Sequence, residues 1–227
     1  ITTAPLEIIY SGSAELDRVR QALAAAFATL PREEVRTIAD AVPHVCRESV
    51  QTVEDEMEVT QGKLGMGFSC GSDDMPALLL GNTLFGGSSN SKLFLNVREK
   101  LSLCYYASSM YHRQKGIITV SSGIEFQNYQ RAYDEILSQL AAVQNGELEE
   151  WELAGARSTL LNSYATVGDS QGKLENFYLG QAATGRSETP ADLAQAVMEV
   201  SAERICRAMS TVKLDTVYFL KGKEAQA

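Results

Sequence analysis

The side chains that most often carry catalysis are few in this chain and poorly spaced for it. There are two histidines, His44 and His112. They fit neither H-x-x-E-H nor H-E-x-x-H, the helical spacings that set two imidazole ligands on one zinc with a general-base glutamate beside it. His44, Cys46 and Glu48 lie close together, and imidazole, thiolate and carboxylate are all zinc ligands. Their spacing matches no recurrent zinc motif, and no second His or Cys cluster completes a tetrahedral set. The segment reads as a solvent-facing loop, so neither metal nor cofactor is expected in this chain. No G-x-S-x-G elbow and no cysteine beside a histidine offers a nucleophile, and no residue here is assigned as catalytic. The loop Gly86-Gly87-Ser88-Ser89-Asn90-Ser91 leads into a helix, whose N-terminal amides could hold an anion. It lacks the Gly-Lys-Ser/Thr ending of a nucleotide loop and reads as a turn between helices.

The elements that would position these residues follow from hydrophobic periodicity. Leu6–Tyr10 is an apolar run ended by Ser11-Gly12, a strand and a turn. Ser13 then caps a helix carrying Leu16, Val19, Leu23, Phe27 and Leu30, closed by Pro31. Residues 32–49 are a connection. Met57 and Val59 alternate with acids. Leu64, Met66, Phe68 and Cys70 alternate with small residues, so the stretch reads as two strands bent at Gln61-Gly62. Asp73 and Asp74 before Pro76 open a buried helix to Phe85, and a second helix runs from about Ser91 to Lys100. Strands 104–111 and 116–123 are joined through Arg113, Gln114 and Lys115. Asn128 caps a long helix stopped by Gly146, and a further helix from Glu147 to about Tyr164 carries Trp151. Two more helices centre on Leu174–Ala183 and Pro190–Met209, and Asp215–Leu220 is a last strand. The order predicts an α+β fold with helices on one face of an antiparallel or mixed sheet. Residues 1–220 form one domain and 221–227 a polar tail.

Composition bounds the function. The 227 residues are 44% hydrophobic and 22% charged, ordinary for a globular chain. Twenty-nine acids against 20 bases leave a net charge of −9 and no basic run, so nucleic acid is excluded as an expected partner. No apolar stretch reaches the ~20 residues that span a bilayer, and no membrane partner is expected. Cys46, Cys70, Cys104 and Cys206 show no C-x-x-C spacing and read as free thiols of a reducing compartment. The chain opens on Ile1 and looks excised from a longer protein.

Arg98 by itself is a solvated helix charge and Tyr105 a strand aromatic. Their setting is more specific. Leu84-Phe85-Gly86-Gly87-Ser88-Ser89-Asn90-Ser91-Lys92-Leu93-Phe94, followed by Arg98-Glu99-Lys100-Leu101-Ser102-Leu103-Cys104-Tyr105, resembles the glycine-loop, Leu-Phe, Arg-Glu-Lys, Leu-x-Tyr signature of the insulinase (pitrilysin) metallopeptidase family. Leu6–Pro31 resembles the opening of that family's second half. Thr189-Pro190 with Val200-Ser201-Ala202-Glu203 resembles its late helical segment, and Leu214–Leu220 the last strand of a bacterial subgroup.

The resemblance implies a two-layer sandwich, a six-stranded, mostly antiparallel sheet with helices on one face. Two such halves close like a clam shell. The first holds zinc on H-x-x-E-H, and the second supplies Arg and Tyr to the substrate, here Arg98 and Tyr105. A guanidinium fork and a phenol suit peptide carbonyls and developing negative charge. Two departures stand out: Ser102 occupies a position usually held by Gly, and the zinc motif is absent from all 227 residues. The chain is then either the substrate-binding, chamber-closing half, with zinc in a missing N-terminal half or partner, or a non-catalytic scaffold subunit. Expected partners are a peptide or protein substrate, the N-terminal half or a related subunit, and a second copy in a homodimer; the expected location is the bacterial cytoplasm.

Overall fold

Leu64, Met66, Phe68 and Cys70 alternate with Lys63, Gly65, Gly67 and Ser69, and this period of two forms β2 (Gly62–Cys70) with its apolar set buried. A computed structural model of the chain describes residues 2–35 and 46–223. Among these, β2 is the middle strand of a five-stranded sheet with β1 (Gln51–Met57), β3 (Cys104–His112), β4 (Ile117–Ile124) and β5 (Val212–Gly222). The order is β1-β5-β2-β4-β3, so the last strand inserts between the first two. β1 runs parallel to β5, and the other three contacts are antiparallel.

The expected six strands are therefore corrected to five among the described residues, in a mixed sheet with three antiparallel contacts and one parallel contact. The missing member is Leu6–Tyr10, which joins no strand ladder, and Leu6, Ile8, Ile9 and Tyr10 are exposed. An apolar run becomes a strand only where another strand offers it an edge, and no described residue does so here.

The apolar face of the sheet packs on α2 (Met75–Phe85), α3 (Tyr129–Gln144), α7 (Ala202–Met209) and a π-helix, Leu93–Lys100. Phe68 and Phe85 meet edge to face with ring centroids 6.3 Å apart. Asp74 caps α2 by accepting the Ala77 N–H at 3.2 Å, with Pro76 in the first turn. The same carboxylate takes a two-pronged bond from Arg204 of α7, at 3.0 and 2.9 Å. The expected single helix over Pro190–Met209 is two, α6 (Pro190–Met198) and α7. Ser201 breaks it: its backbone is extended, and its hydroxyl accepts the Arg204 N–H at 3.3 Å.

The chain divides into two compact units, the larger being Pro43–Tyr164 with Ala191–Ala227, which holds the sheet. The smaller comprises Ile1–Val42 and Ala165–Pro190. It contains α1 (Leu16–Ala28) and α5 (Gln171–Ala183), and Gln171 Nε2 donates to the Ser11 carbonyl at 2.6 Å. Its expected Ser13 cap is not made; Glu15 stands at the N-cap of α1 without a side-chain bond.

The glycine loop after α2 is a packing device. Gly86 and Gly87 both donate their N–H to the Asn82 carbonyl at 2.9 Å, so these amides hold the protein's own oxygen. Gly86 C=O accepts the Ser109 N–H of edge strand β3 at 2.9 Å. A Cβ on Gly86 would lie 2.7 Å from Ser109 N, Ser109 Oγ and Leu93 Cδ1. Gly86→Ala is therefore expected to destabilise by about 2–3 kcal/mol in urea unfolding, the scale of overpacking against backbone. Gly168→Ala, with nothing within 4 Å of the added carbon, should stay within about 0.5 kcal/mol.

Candidate functional site

The π-helix is held by what its sequence buries. Leu93 and Val97 face the core, and Lys92 just before it is turned inward. Lys92 Nζ lies 3.0 Å from both carboxylate oxygens of Glu152, on α4 (Glu150–Ala165). The two side chains are only 9% and 7% exposed. The Glu149 N–H adds a third hydrogen bond to Glu152 at 2.9 Å. On the other side, Asn96 Nδ2 donates to Gln139 Oε1 of α3 at 2.7 Å. Arg98 follows Val97 and so sits at the rim rather than in the core.

The helix closes wide. Leu103 N–H reaches back to Val97 O at 3.0 Å, Leu101 N–H to Asn96 O at 3.1 Å and Ser102 N–H to Arg98 O at 3.1 Å. This turn puts Ser102 at φ +49°, a left-handed backbone that suits glycine. It is the position where the resembled signature implied Gly, and a serine there carries a backbone strain held in place by the surrounding bonds.

The next irregularity aims Tyr105. Across the β3–β4 hairpin, Cys104 faces Ile124 and Tyr106 faces Gly123, which leaves Tyr105 as the extra residue of a bulge. Its side chain is 58% exposed, and its hydroxyl donates to Glu125 Oε1 at 3.0 Å. That bond, with the Glu125 charge, holds the phenol above its ordinary pKa. Arg98 lies with its guanidinium carbon 4.7 Å from the Phe94 ring centroid and with Nη1 3.4 Å from Glu99 Oε1. Arg98, Tyr105, Glu99, Ser102, Cys104 and Glu125 all line one concavity of about 450 Å³. Burial raises the Cys104 thiol, against the lowering effects of Ser122 and Arg98, and pushes Cys70 up to about 12. Neither is an activated thiolate.

The structure thus brings Arg98 and Tyr105 to one concavity. Sequence reading missed Glu125, Lys92 and Glu152. Glu125 was within reach: pairing the two predicted strands places the residue after Ile124 beside Tyr105. Lys92 and Glu152 are 60 positions apart, and nothing in their neighbours marks them. His44 lies outside the described residues. His112 Nε2 is 3.0 Å from Thr119 Oγ1 across the hairpin, and Cys46 Sγ donates to the Arg47 carbonyl at 3.5 Å. Among the described residues no three His, Cys, Asp or Glu side chains gather as a metal site, and no helix is long and apolar enough to cross a membrane.

Residues 4–160, which include the whole of this concavity, match the family model of the peptidase M16 inactive domain. The chain belongs to that family. It is 37% identical over 225 residues to the "Probable inactive metalloprotease YmfF" of Bacillus subtilis, covering 96% of this chain and 52% of that protein. A conserved protein of Enterococcus faecalis V583 superposes with a TM-score of 0.80 at 28% identity, over 91% of this chain and 50% of that one. The peptidase M16 inactive domain from Pseudomonas fluorescens gives 0.76 at 16% identity, over 94% of this chain and 53% of its own, which speaks to the fold alone. This M16 chain therefore spans about half the length of the curated relative it matches.

Two outcomes follow for the site's support. Ser102→Gly should raise stability by about 0.5–1 kcal/mol, because relief of the left-handed strain exceeds the added chain entropy of glycine. Its urea midpoint should rise at unchanged slope. Lys92→Met alone should cost about 3–5 kcal/mol by leaving the Glu152 charge buried and unpaired, whereas Lys92→Met with Glu152→Leu should recover most of that loss. A double-mutant cycle on thermal unfolding checks it.

Proposed function

We propose that the chain is the substrate-binding, chamber-closing half of an M16 peptidase-like protein, with Arg98 and Tyr105 holding a bound peptide. The observation that carries this reading is a cluster of backbone irregularities. A π-helix, a left-handed serine and a β-bulge fall within residues 93–106, and together they put a guanidinium and a phenol on one concavity. Such departures cost about 1–3 kcal/mol each and concentrate where function needs them. Arg98 offers planar N–H donors to peptide carbonyls. Tyr105 is held protonated far above neutral pH and serves as a hydrogen-bonding group, not a base. Hydrolytic zinc belongs on this reading to a preceding half or a partner subunit; the residues described here gather no ligand set for it.

A second reading has its own support, the name of the Bacillus subtilis relative as an inactive metalloprotease. On it, the same half serves a non-catalytic subunit that binds peptide or closes an assembly without cleaving. The residues preceding Ile1 separate the two: H-x-x-E-H upstream favours the enzyme, its absence the scaffold. A related subunit or a second copy is the partner either reading calls for.

Both readings are tested at the same two positions. Arg98→Ala and Tyr105→Phe should change stability by no more than about 0.5 kcal/mol, as both side chains are substantially exposed. In an active full-length protein each should lower peptide turnover by about 10²-fold, the scale of one positioned transition-state donor. In a non-catalytic protein each should weaken peptide binding measured by fluorescence anisotropy. Folded variants whose peptide binding and turnover match the wild-type chain would overturn the assignment.

A further inference from the structure

Glu125 is the group in this concavity that neither the signature nor the proposed roles account for. It stands at the end of β4, where the hairpin register sets it beside the bulged Tyr105. Its carboxylate accepts from the Tyr105 hydroxyl at 3.0 Å and from Gln127 Nε2 at 3.3 Å. Both donors are neutral, so the negative charge of Glu125 meets no cation among its hydrogen-bond partners. The other acid of the concavity differs: Glu99 is already opposite Arg98, at 3.4 Å. The charge of Arg98 is matched by Glu99 at Nη1 and its face rests on the Phe94 ring, which leaves its other N–H donors for peptide carbonyls. The concavity thus presents one satisfied ion pair and one carboxylate held in place by a phenol and an amide.

A carboxylate oriented by two neutral donors and open on a concave surface is a counter-ion for a ligand cation. The phenol bond fixes the direction of the carboxylate at little cost in charge, because a neutral donor orients the group without neutralising it. Peptides with an acidic residue at this point would meet Glu125 and Glu99 together and be repelled.

Resting on the peptide-binding reading above, we propose that Glu125 is a specificity-determining residue that selects a lysine or arginine side chain of the bound peptide, beside the carbonyls held by Arg98 and a peptide N–H accepted by the Tyr105 oxygen, whose own proton is given to Glu125. The chemical class of ligand is thereby narrowed from any extended peptide to one carrying a basic side chain.

The experiment compares three fluorescein-labelled, C-amidated peptides of otherwise identical, alanine- and serine-based sequence, with lysine, norleucine or glutamate at one central position. Each is titrated by anisotropy against the 227-residue chain and its variants. The wild-type chain should bind the lysine peptide about five-fold tighter than the norleucine peptide, the scale of one partly exposed charge pair, and the glutamate peptide more weakly than either. The preference should shrink as salt is raised. Glu125→Gln keeps an oxygen for the Tyr105 hydroxyl and removes the charge. It should bring the lysine-to-norleucine ratio to about one while norleucine binding stays unchanged, an outcome that loss of Tyr105 positioning could not produce. Glu125→Lys should reverse the order in favour of glutamate. If all three peptides bind equally to the wild-type chain, or if Glu125→Gln leaves the ratio intact, Glu125 has no such role, while the Arg98 and Tyr105 assignment stands as long as Arg98→Ala weakens all three. If no peptide binds at all, the peptide-binding reading falls and this inference with it.

Discussion

The contact between Gly86 and Ser109 is the constraint on which the site's geometry depends. Here the end of α2 touches the outer edge of β3 backbone to backbone, through the Ser109 N–H and the Gly86 carbonyl. No side chain can stand between them, since a Cβ on Gly86 would sit 2.7 Å from the Ser109 nitrogen. The contact covers a donor of the edge strand that would otherwise face solvent. It also sets where the chain must leave α2, and therefore where the π-helix begins. Asn82 reinforces the corner: its side-chain oxygen accepts the Ser109 hydroxyl at 2.7 Å, and its carbonyl accepts both glycine amides.

From that corner the placement of Arg98 and Tyr105 follows by short steps. Leu93 and Val97 sink into the core, Lys92 is drawn under α4 by Glu152, and Asn96 is tied to α3. The wide helical turn then delivers Arg98 to the rim. Its exit through Ser102 at φ +49° turns the chain directly into β3. The bulge one residue into the strand rotates Tyr105 outward. A regular α-helix and an unbroken strand would have moved both side chains. The irregular backbone is stable because Lys92, Leu93 and Val97 anchor it from beneath, so strain at the rim is offset by burial one layer down.

Membership of the M16 inactive-domain family accords with this division of labour. Burial raises the Cys70 and Cys104 thiols rather than activating them. The larger unit also depends on sequence-distant pieces. β5 lies between β1 and β2, and Gln144 at the end of α3 donates at 3.0 Å to the carbonyls of Met209 and Val212 on either side of the turn into β5. The sheet is incomplete until the last strand has arrived.

Much of this was legible in the residues because it is local. The alternation of β2, the Asp74-x-Pro76 start of α2 and the hairpin of β3 and β4 are short-range patterns that the structure reproduces. So is the stop at Gly146, at φ +79°, where Glu147 N–H returns to Ala142 O at 2.9 Å. That Arg98 and Tyr105 belong together was implied only by the resemblance of residues 84–105 to a family signature, not by spacing or periodicity. What the tertiary structure alone decided is long-range. The parallel seat of β1 against β5 depends on an edge supplied some 160 residues later. Leu6–Tyr10 has the composition of a strand and no edge among the described residues, so composition misled. The break at Ser201 comes with a two-pronged bond from Arg204 to Asp74, 130 positions away in sequence. The π-helix, the bulge and the Lys92–Glu152 pair have no periodic signal, because each is a compromise between an element's own preference and the packing of elements around it.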